Sequence, residues 1–364
     1  MLVDFDYFFA QCEELRNPAF KDKPVVVGVY SGRTEESGVV STANYVAREY
    51  GVKSGIPLYL ARKRLEGIEA VFLPIDMAFY AQISDKIMQV LRGYADSFEQ
   101  TSIDEAYLNV TEKVNRSFEV ARELAQRIKS KVRNDAGISF SVGIGPNKLV
   151  AKIAADSQKP DGLTVVKECE VENFLSPLPV NLLAGVGRKT TVIMSELGIS
   201  TFGELASYDV QRLVSVFGRK LGVYFHNAAK GIDNLPVQET VGAESISRIS
   251  TLKENTRDFV MVLEKATELV EDIHKDVVKR NITFKQISII AIMANLRVRS
   301  RSKTLEKATS NIEVLRGAVR ELFEKFLDES ELEIRRVGVK ISNFAKEEVE
   351  QKRLTSFFRR LEWE

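Results

Sequence analysis

In the last third of the chain two runs of apolar residues recur at alternating steps of three and four: Phe259, Leu263, Ala266, Val270, Ile273 and Val277, then Ile312, Leu315, Val319, Leu322 and Phe326. That spacing gives a helix one apolar stripe, and such a stripe must be buried against a partner surface. Four strand-like segments flank the two runs, at 244–252, 284–293, 296–303 and 332–342. The order βαββαβ therefore predicts a four-stranded sheet carrying both helices, a self-sufficient domain over 244–343.

Upstream, residues 232–243 contain Pro236 and no apolar period, and read as a linker. Residues 166–231 are strongly helical and punctuated by Gly185, Gly187, Gly198, Gly203, Gly218 and Gly222, which predicts a small domain of short helical hairpins. Nearer the start, Leu2 and Val3 form a strand that turns into a helix through Tyr7, Phe8 and Phe9. A second strand, Pro24 to Tyr30, is followed by a stretch rich in Gly, Ser and Thr and a helix from Asn44 to Tyr50. Helical periods occupy 76–94 and 117–133, with a hairpin between them at 97–110 and a further strand at 140–144. Helices and antiparallel strand signals without repeated βαβ crossovers predict an α+β sheet domain with helices on one face.

Composition narrows the chemistry. Two cysteines, Cys12 and Cys169, and two histidines, His226 and His274, provide neither a disulfide framework nor zinc-ligand spacing, so metal chemistry must use carboxylates. The longest apolar run, Ile287 to Leu296, is half the roughly 18 to 20 residues of a membrane span, and no basic-then-apolar leader opens the chain. A cytoplasmic protein is expected. Net charge is +1, so a nucleic-acid partner must be sought in local charge. Asp4 follows two apolar residues, and Asp104 and Glu105 lie in a second strand-like segment. Three carboxylates on neighbouring strands suit magnesium, although consecutive strand residues point to opposite faces unless the chain bends. Taken alone, each motif reads equally well as acids capping turns.

The company of these motifs decides between the two. Val3-Asp4-Phe5-Asp6-Tyr7-Phe8-Phe9-Ala10, Thr42-Ala43-Asn44-Tyr45-Val46-Ala47-Arg48, Ser102-Ile103-Asp104-Glu105-Ala106-Tyr107, Ser141-Val142-Gly143-Ile144 and Asn147-Lys148-Leu149-Val150-Ala151-Lys152 together resemble a Y-family translesion DNA polymerase, especially the archaeal members related to bacterial DNA polymerase IV. The resemblance covers essentially the whole chain. It implies a right-hand fold: palm at 1–9 and 77–165, small fingers at 10–76, a helix-hairpin-helix thumb at 166–231, the linker, and a little finger at 244–343. It also implies that Asp4, Asp104 and Glu105 with the Phe5 carbonyl bind two Mg2+ ions. Tyr45, Arg48 and Lys159 match triphosphate contacts, and Tyr7, Phe8, Phe9 and Thr42 complete the dNTP pocket. Phe9 matches the steric gate against a ribose 2′-hydroxyl, although packing into the core is the alternative reading of the same ring. Val29, Val39 and Ser41 match the roof over the nascent base pair, with Val39 bulkier than the Ala or Gly common there. Only three residues precede Asp4, fewer than in relatives, so a shorter first strand is expected than the usual about five or six residues.

The resemblance also sorts the charged segments. Gly185, Gly187, Arg188 and Lys189 fit a helix-hairpin-helix whose backbone amides hold a DNA phosphate. Between 281 and 310 six cations face one acid, and Arg297, Arg299, Arg301 and Lys303 alternate along one strand. They read either as a phosphate-contacting stripe or as charges guarding an edge strand. Gln351, Leu354, Phe357 and Phe358, in the tail at 344–364, match a sliding-clamp-binding motif, with a terminal helix docked on its own body as the alternative. The expected partners are primer-template DNA, dNTP and a clamp, and the expected protein is a monomer. Three rivals remain: a nucleotidyl cyclase, which needs none of the DNA-binding regions, a polymerase-like recruitment module without catalysis and, within the family, a template-independent deoxycytidyl transferase.

Overall fold

A computed structural model describes residues 1–239, 242 and 244–345. The chain divides into two compact units. One combines Met1–Val29 with Val39–Val241, and the other combines Tyr30–Gly38 with the chain from Gly242 onward.

The first unit begins with β1 (Leu2–Phe5), α1 (Phe8–Arg16), β2 (Val25–Tyr30), β3 (Gly38–Ala43), α2 (Tyr45–Glu49), α3 (Leu58–Arg64) and β4 (Val71–Pro74). It continues through α4 (Met77–Gly93), β5 (Ser97–Gln100), β6 (Glu105–Asn109), α5 (Phe118–Ala136), β7 (Phe140–Ile144), α6 (Lys148–Ser157) and β8 (Leu163–Val165). Five of these strands form one sheet in the order β5-β6-β1-β7-β8, with β1 at its centre. All its pairings are antiparallel except β7 with β8. Strand β1 has four residues, and every one is buried.

Helices α4 and α5 close one face of this sheet. Ser117 caps α5 by accepting from Val120 N–H, and the helix lays Ala121, Leu124, Ala125, Ile128 and Val132 on a core that includes Val3, Phe5, Phe8, Leu108 and Phe140. The helix stops at Gly137, whose φ of 66° lies in the left-handed region. Helix α6 packs on β7 at Gly143, where an added Cβ would stand 1.9 Å from the Ala151 carbonyl oxygen and 2.4 Å from the Ala155 nitrogen. Only glycine permits that approach. A smaller sheet, β3-β2-β4, forms apart from the five-stranded one.

The rest of the unit is helical: α7 (Val171–Leu175), α8 (Arg188–Glu196), α9 (Phe202–Ser207) and α10 (Val210–Ala229). They gather around Leu175, Met194, Phe202, Leu205 and Phe225. The run forming α10 is broken at Gly218, whose φ is 78°. The segment after it has no regular structure, yet it is pinned. Asn147 Nδ2 donates to Gly231 O, Leu149 N–H to an Asp233 carboxylate oxygen, Ser97 Oγ to Val237 O and Gln238 N–H to Glu99.

The second unit contains β9 (Ser245–Thr256), α11 (Phe259–Arg280), β10 (Thr283–Met293), β11 (Val298–Thr309), α12 (Ile312–Glu329) and β12 (Ile334–Ala345), the expected βαββαβ. The antiparallel sheet runs β11-β10-β12-β9. Apolar side chains of α11 and α12 share one core with Ile287, Ile289, Ala291, Val337, Val339 and Ile341. Arg33, from the 30–38 segment that belongs to this unit, donates to Leu252 O and Asn255 Oδ1. No helix among the described residues is long and apolar enough to cross a membrane.

Candidate active site

The antiparallel register sets Asp4 of β1 directly opposite Glu105 of β6 and, on its other side, Ser141 of β7. Directly opposed residues share a sheet face, so the two carboxylates are neighbours. Asp104 lies just before β6, on the bend where Thr101 and Ser102 N–H both turn back to Glu105 O, and its carbonyl accepts from Phe5 N–H at 2.8 Å. Strand alternation therefore does not separate it from Glu105.

A helix supplies the neutralising charge. From α6, Lys152 Nζ lies 2.7 Å from Asp4 Oδ2 and also pairs with Glu105. Lys159 Nζ stands 2.7 Å from the same Asp4 oxygen and 2.9 Å from Asp156 Oδ1. Burial pushes the Asp4 carboxyl up, but the charges and hydrogen bonds of both lysines outweigh it and hold its pKa below the ordinary value. Asp104 instead accepts from Ser102 Oγ. Asp4 and Glu105 are thus brought together and Asp104 is turned aside. Among the described residues no three acidic, His or Cys side chains are drawn into one metal-holding group. The physical reason is repulsion: three close carboxylates need cations, and the ammonium groups serve two of them. Carboxylate oxygens that already gather positive charge are the donors a hard divalent ion takes, so the residues fit such an ion.

Lys152 and Asp6 carry roles that the sequence reading did not assign. Asp6 is 1% exposed. Its Oδ1 accepts from Ser141 Oγ and its Oδ2 from Asp161 N–H, both at 2.8 Å. Burial raises its carboxyl pKa despite these bonds. The available signals were the Asp-Phe-Asp alternation and the spacing of Lys152, Asp156 and Lys159 at four and three.

Around the carboxylates stand the nucleotide-pocket candidates. Tyr7 heads α1 with φ 37°, and its ring meets Tyr45 edge-on at 5.3 Å. The Arg48 guanidinium lies 4.6 Å over the Tyr45 ring and donates to Ala43 O. Phe9 stacks on Tyr80 at 4.6 Å, so its ring is both packed and partly open. The Phe8 ring is buried against Phe5, 5.1 Å away, so its side chain does not line the pocket. The helical phase of α1 sends it inward while Phe9 points elsewhere. Thr42 and Ser41 are half-buried on β3, and Val29 and Val39 are exposed.

In the helical region Leu183 and Val186 anchor a turn from which Gly185, Gly187, Arg188 and Lys189 are exposed. Gly185 has φ 88°, and Gly187 begins α8 with no side chain capping the helix amides. The first arm of this hairpin is a 3-10 turn, Val180–Leu182, rather than an α-helix. The triplet Gly-Arg-Lys recurs at Gly218, Arg219 and Lys220, again at a helix break.

The cation stripe of the second unit differs from its expected setting. Arg297 lies in the turn before β11, while Arg299, Arg301 and Lys303 stand opposite Ala291, Ile289 and Ile287, on the helix-covered face. There Arg301 pairs with Glu329 at 2.7 Å and Lys303 with Glu321. The other face carries Ser288, Ser300, Ser302, Ser342, Arg336 and Lys340. Gln351, Leu354, Phe357 and Phe358 lie outside the described residues.

Comparison with known proteins gives this geometry a family. Residues 3–156 match the impB/mucB/samB family, 243–354 its C-terminal domain, and 181–233 a DNA polymerase-iota thumb domain. A DNA polymerase IV from Nitrosopumilus maritimus is 43% identical, with 98% of each chain covered. Among solved structures, a Y-family DNA polymerase chimera of Dbh and Dpo4 has a TM-score of 0.89 at 38% identity, covering 94% of this chain and 98% of that one. An insertion ternary complex of Dbh DNA polymerase gives 0.68 at 37% identity, covering 94% and 98%. The α+β palm, the helical thumb and the C-terminal βαββαβ domain are those of one lineage, and the chain belongs to the Y-family DNA polymerases.

Proposed function

We propose that the protein is a DNA-directed DNA polymerase of low fidelity that copies past template lesions, adding deoxynucleotides from dNTP to a primer 3′-hydroxyl. The observation that carries this reading is the register placing Asp4 beside Glu105, with Asp104 on the adjoining bend and Lys159 at Asp4. Asp4, Asp104, Glu105 and the Phe5 carbonyl would hold two Mg2+ ions. When bound, such ions lower the pKa of an attacking hydroxyl and neutralise a triphosphate. The protein's own part is positioning. Lys159 and Arg48 offer a point charge and a planar fork for phosphate oxygens, and the Tyr45 hydroxyl adds a donor. Phe9, braced on Tyr80, bars a 2′-hydroxyl. Val29, Val39 and Ser41 form a low roof that tests base-pair shape weakly, which supports tolerance of lesions and errors.

The exposed amides and cations at Gly185–Lys189 would grip the DNA backbone, the C-terminal domain would add phosphate contacts, and the tail motif would tether the enzyme to a sliding clamp. We read it as a cytoplasmic monomer. The test is primer extension with Mg2+ on undamaged and abasic templates, comparing the wild type with Asp104→Ala. Extension of both templates by the wild type and of neither by the variant is expected. A wild type that binds primer-template DNA yet adds no nucleotide would overturn the catalytic reading in favour of a recruitment module.

A further inference from the structure

Lys152 is a second ammonium at the carboxylates, beyond the one assigned to the triphosphate. It bridges Asp4 and Glu105, whose side chains are 10% and 19% exposed. Two such carboxylates side by side repel, and a cation between them relieves that repulsion. Lys152 is also 3.6 Å from Asp156, one helical turn along α6, and Asp156 is the more exposed acceptor at 42%. Lys152 therefore has two acceptor sets within reach, one inside the site and one outside it. The contact at Gly143 fixes the α6 backbone over β7, next to β1, so the base of the Lys152 side chain is held beside the carboxylates while its ammonium can reach either acceptor.

We propose that Lys152 is an internal counter-ion that competes with divalent cations for Asp4 and Glu105, shifting its ammonium toward Asp156 when a cation binds. It is a positioning residue. It keeps the carboxylate pair assembled between catalytic cycles, and it weakens cation binding to the free enzyme. Full occupancy is thereby tied to the arrival of a triphosphate, whose oxygens add donors and offset the displaced ammonium. The inference rests on the reading that these carboxylates bind divalent ions, and its test does not use polymerase activity.

The whole protein, without DNA or nucleotide, is titrated with Mn2+ while free Mn2+ is followed by electron paramagnetic resonance. Wild type is compared with Lys152→Met and with Lys131→Met, which removes an α5 lysine paired with Asp135. Removing a positive charge a few ångströms from the ion raises affinity, and Lys152→Met is expected to bind Mn2+ about tenfold more tightly. Lys131→Met should match the wild type. Equal or weaker binding by Lys152→Met overturns the proposal. Absence of Mn2+ binding by both the wild type and Lys152→Met overturns the metal reading itself, and this inference with it. Should Lys152→Met not fold, the wild type still decides: in 15N-lysine-labelled protein, saturation with Mg2+ must shift the Lys152 ammonium resonance, and an unmoved resonance rejects the exchange.

Discussion

Asp161 holds the Lys159 loop from two sides. Its N–H donates to Asp6 Oδ2, while its carboxylate takes Lys129 at 2.8 Å and also Arg133. Burial raises the Asp161 carboxyl, but the hydrogen bonds and charges of Lys129 and Arg133 prevail and lower its pKa. An acid depressed in the folded state stabilises the fold above its unfolded pKa, and that stabilisation is lost as pH falls through the folded value. Asp161→Asn should therefore cost about 1 kcal/mol at neutral pH. The difference from the wild type should hold down to about pH 5 and shrink below about pH 4. Thermal melts across that range check it, and a difference that grows toward acid contradicts the assignment. These roles explain what the sequence hid at this scale. Asp4, Asp104 and Glu105 stood out as candidates because their motifs are local, and the structure brings Asp4 and Glu105 together. Asp6 and Lys152 act through partners more than a hundred residues away, which no local pattern announces.

Among the elements, those with a one-sided apolar stripe were legible: α11 and α12 follow the three-and-four spacing, and α5 does the same. Helix α6 was legible only as a motif: Leu149, Val150, Ala151, Ile153, Ala154 and Ala155 are buried, and its polar stripe narrows to Lys148, Lys152 and Asp156 at every fourth residue. Its burial depends on Gly143. Alanine there would drive a Cβ into the Ala151 carbonyl, which is backbone and cannot rotate away. Gly143→Ala should destabilise the first unit by about 3 kcal/mol and displace α6. Because Lys152 and Lys159 ride on or just after that helix, DNA synthesis should fall further than the loss of folded protein explains. Urea unfolding alongside extension assays corrected for folded fraction checks both parts. A stable and fully active variant would mean that α6 does not set the site.

For the molecule as a whole, a net charge of +1 hides strongly local charge. Period-two alternation was legible along β11, but the face each cation takes was not. That depends on the register with β10, where Ile287, Ile289, Ile290 and Ile292 make both faces apolar and leave the pattern ambiguous. In the structure Arg301 and Lys303 are already paired with acids of α12, whereas Arg336 and Lys340 lie on the opposite, hydroxyl-lined face. A cation that must first leave an acid gains less from a phosphate than one without such a partner. The two sets should therefore separate in the salt dependence of primer-template binding, where each phosphate contact contributes about 0.9 to the slope of log affinity against log salt. Replacing Arg336 and Lys340 by Gln should flatten that slope by about 2, and replacing Arg301 and Lys303 by less than 1. Fluorescence anisotropy at several salt concentrations measures both. The reverse ranking would mean that the β11 cations leave Glu329 and Glu321 for DNA, so that the stripe read from the sequence, and not the opposite face, carries the contact.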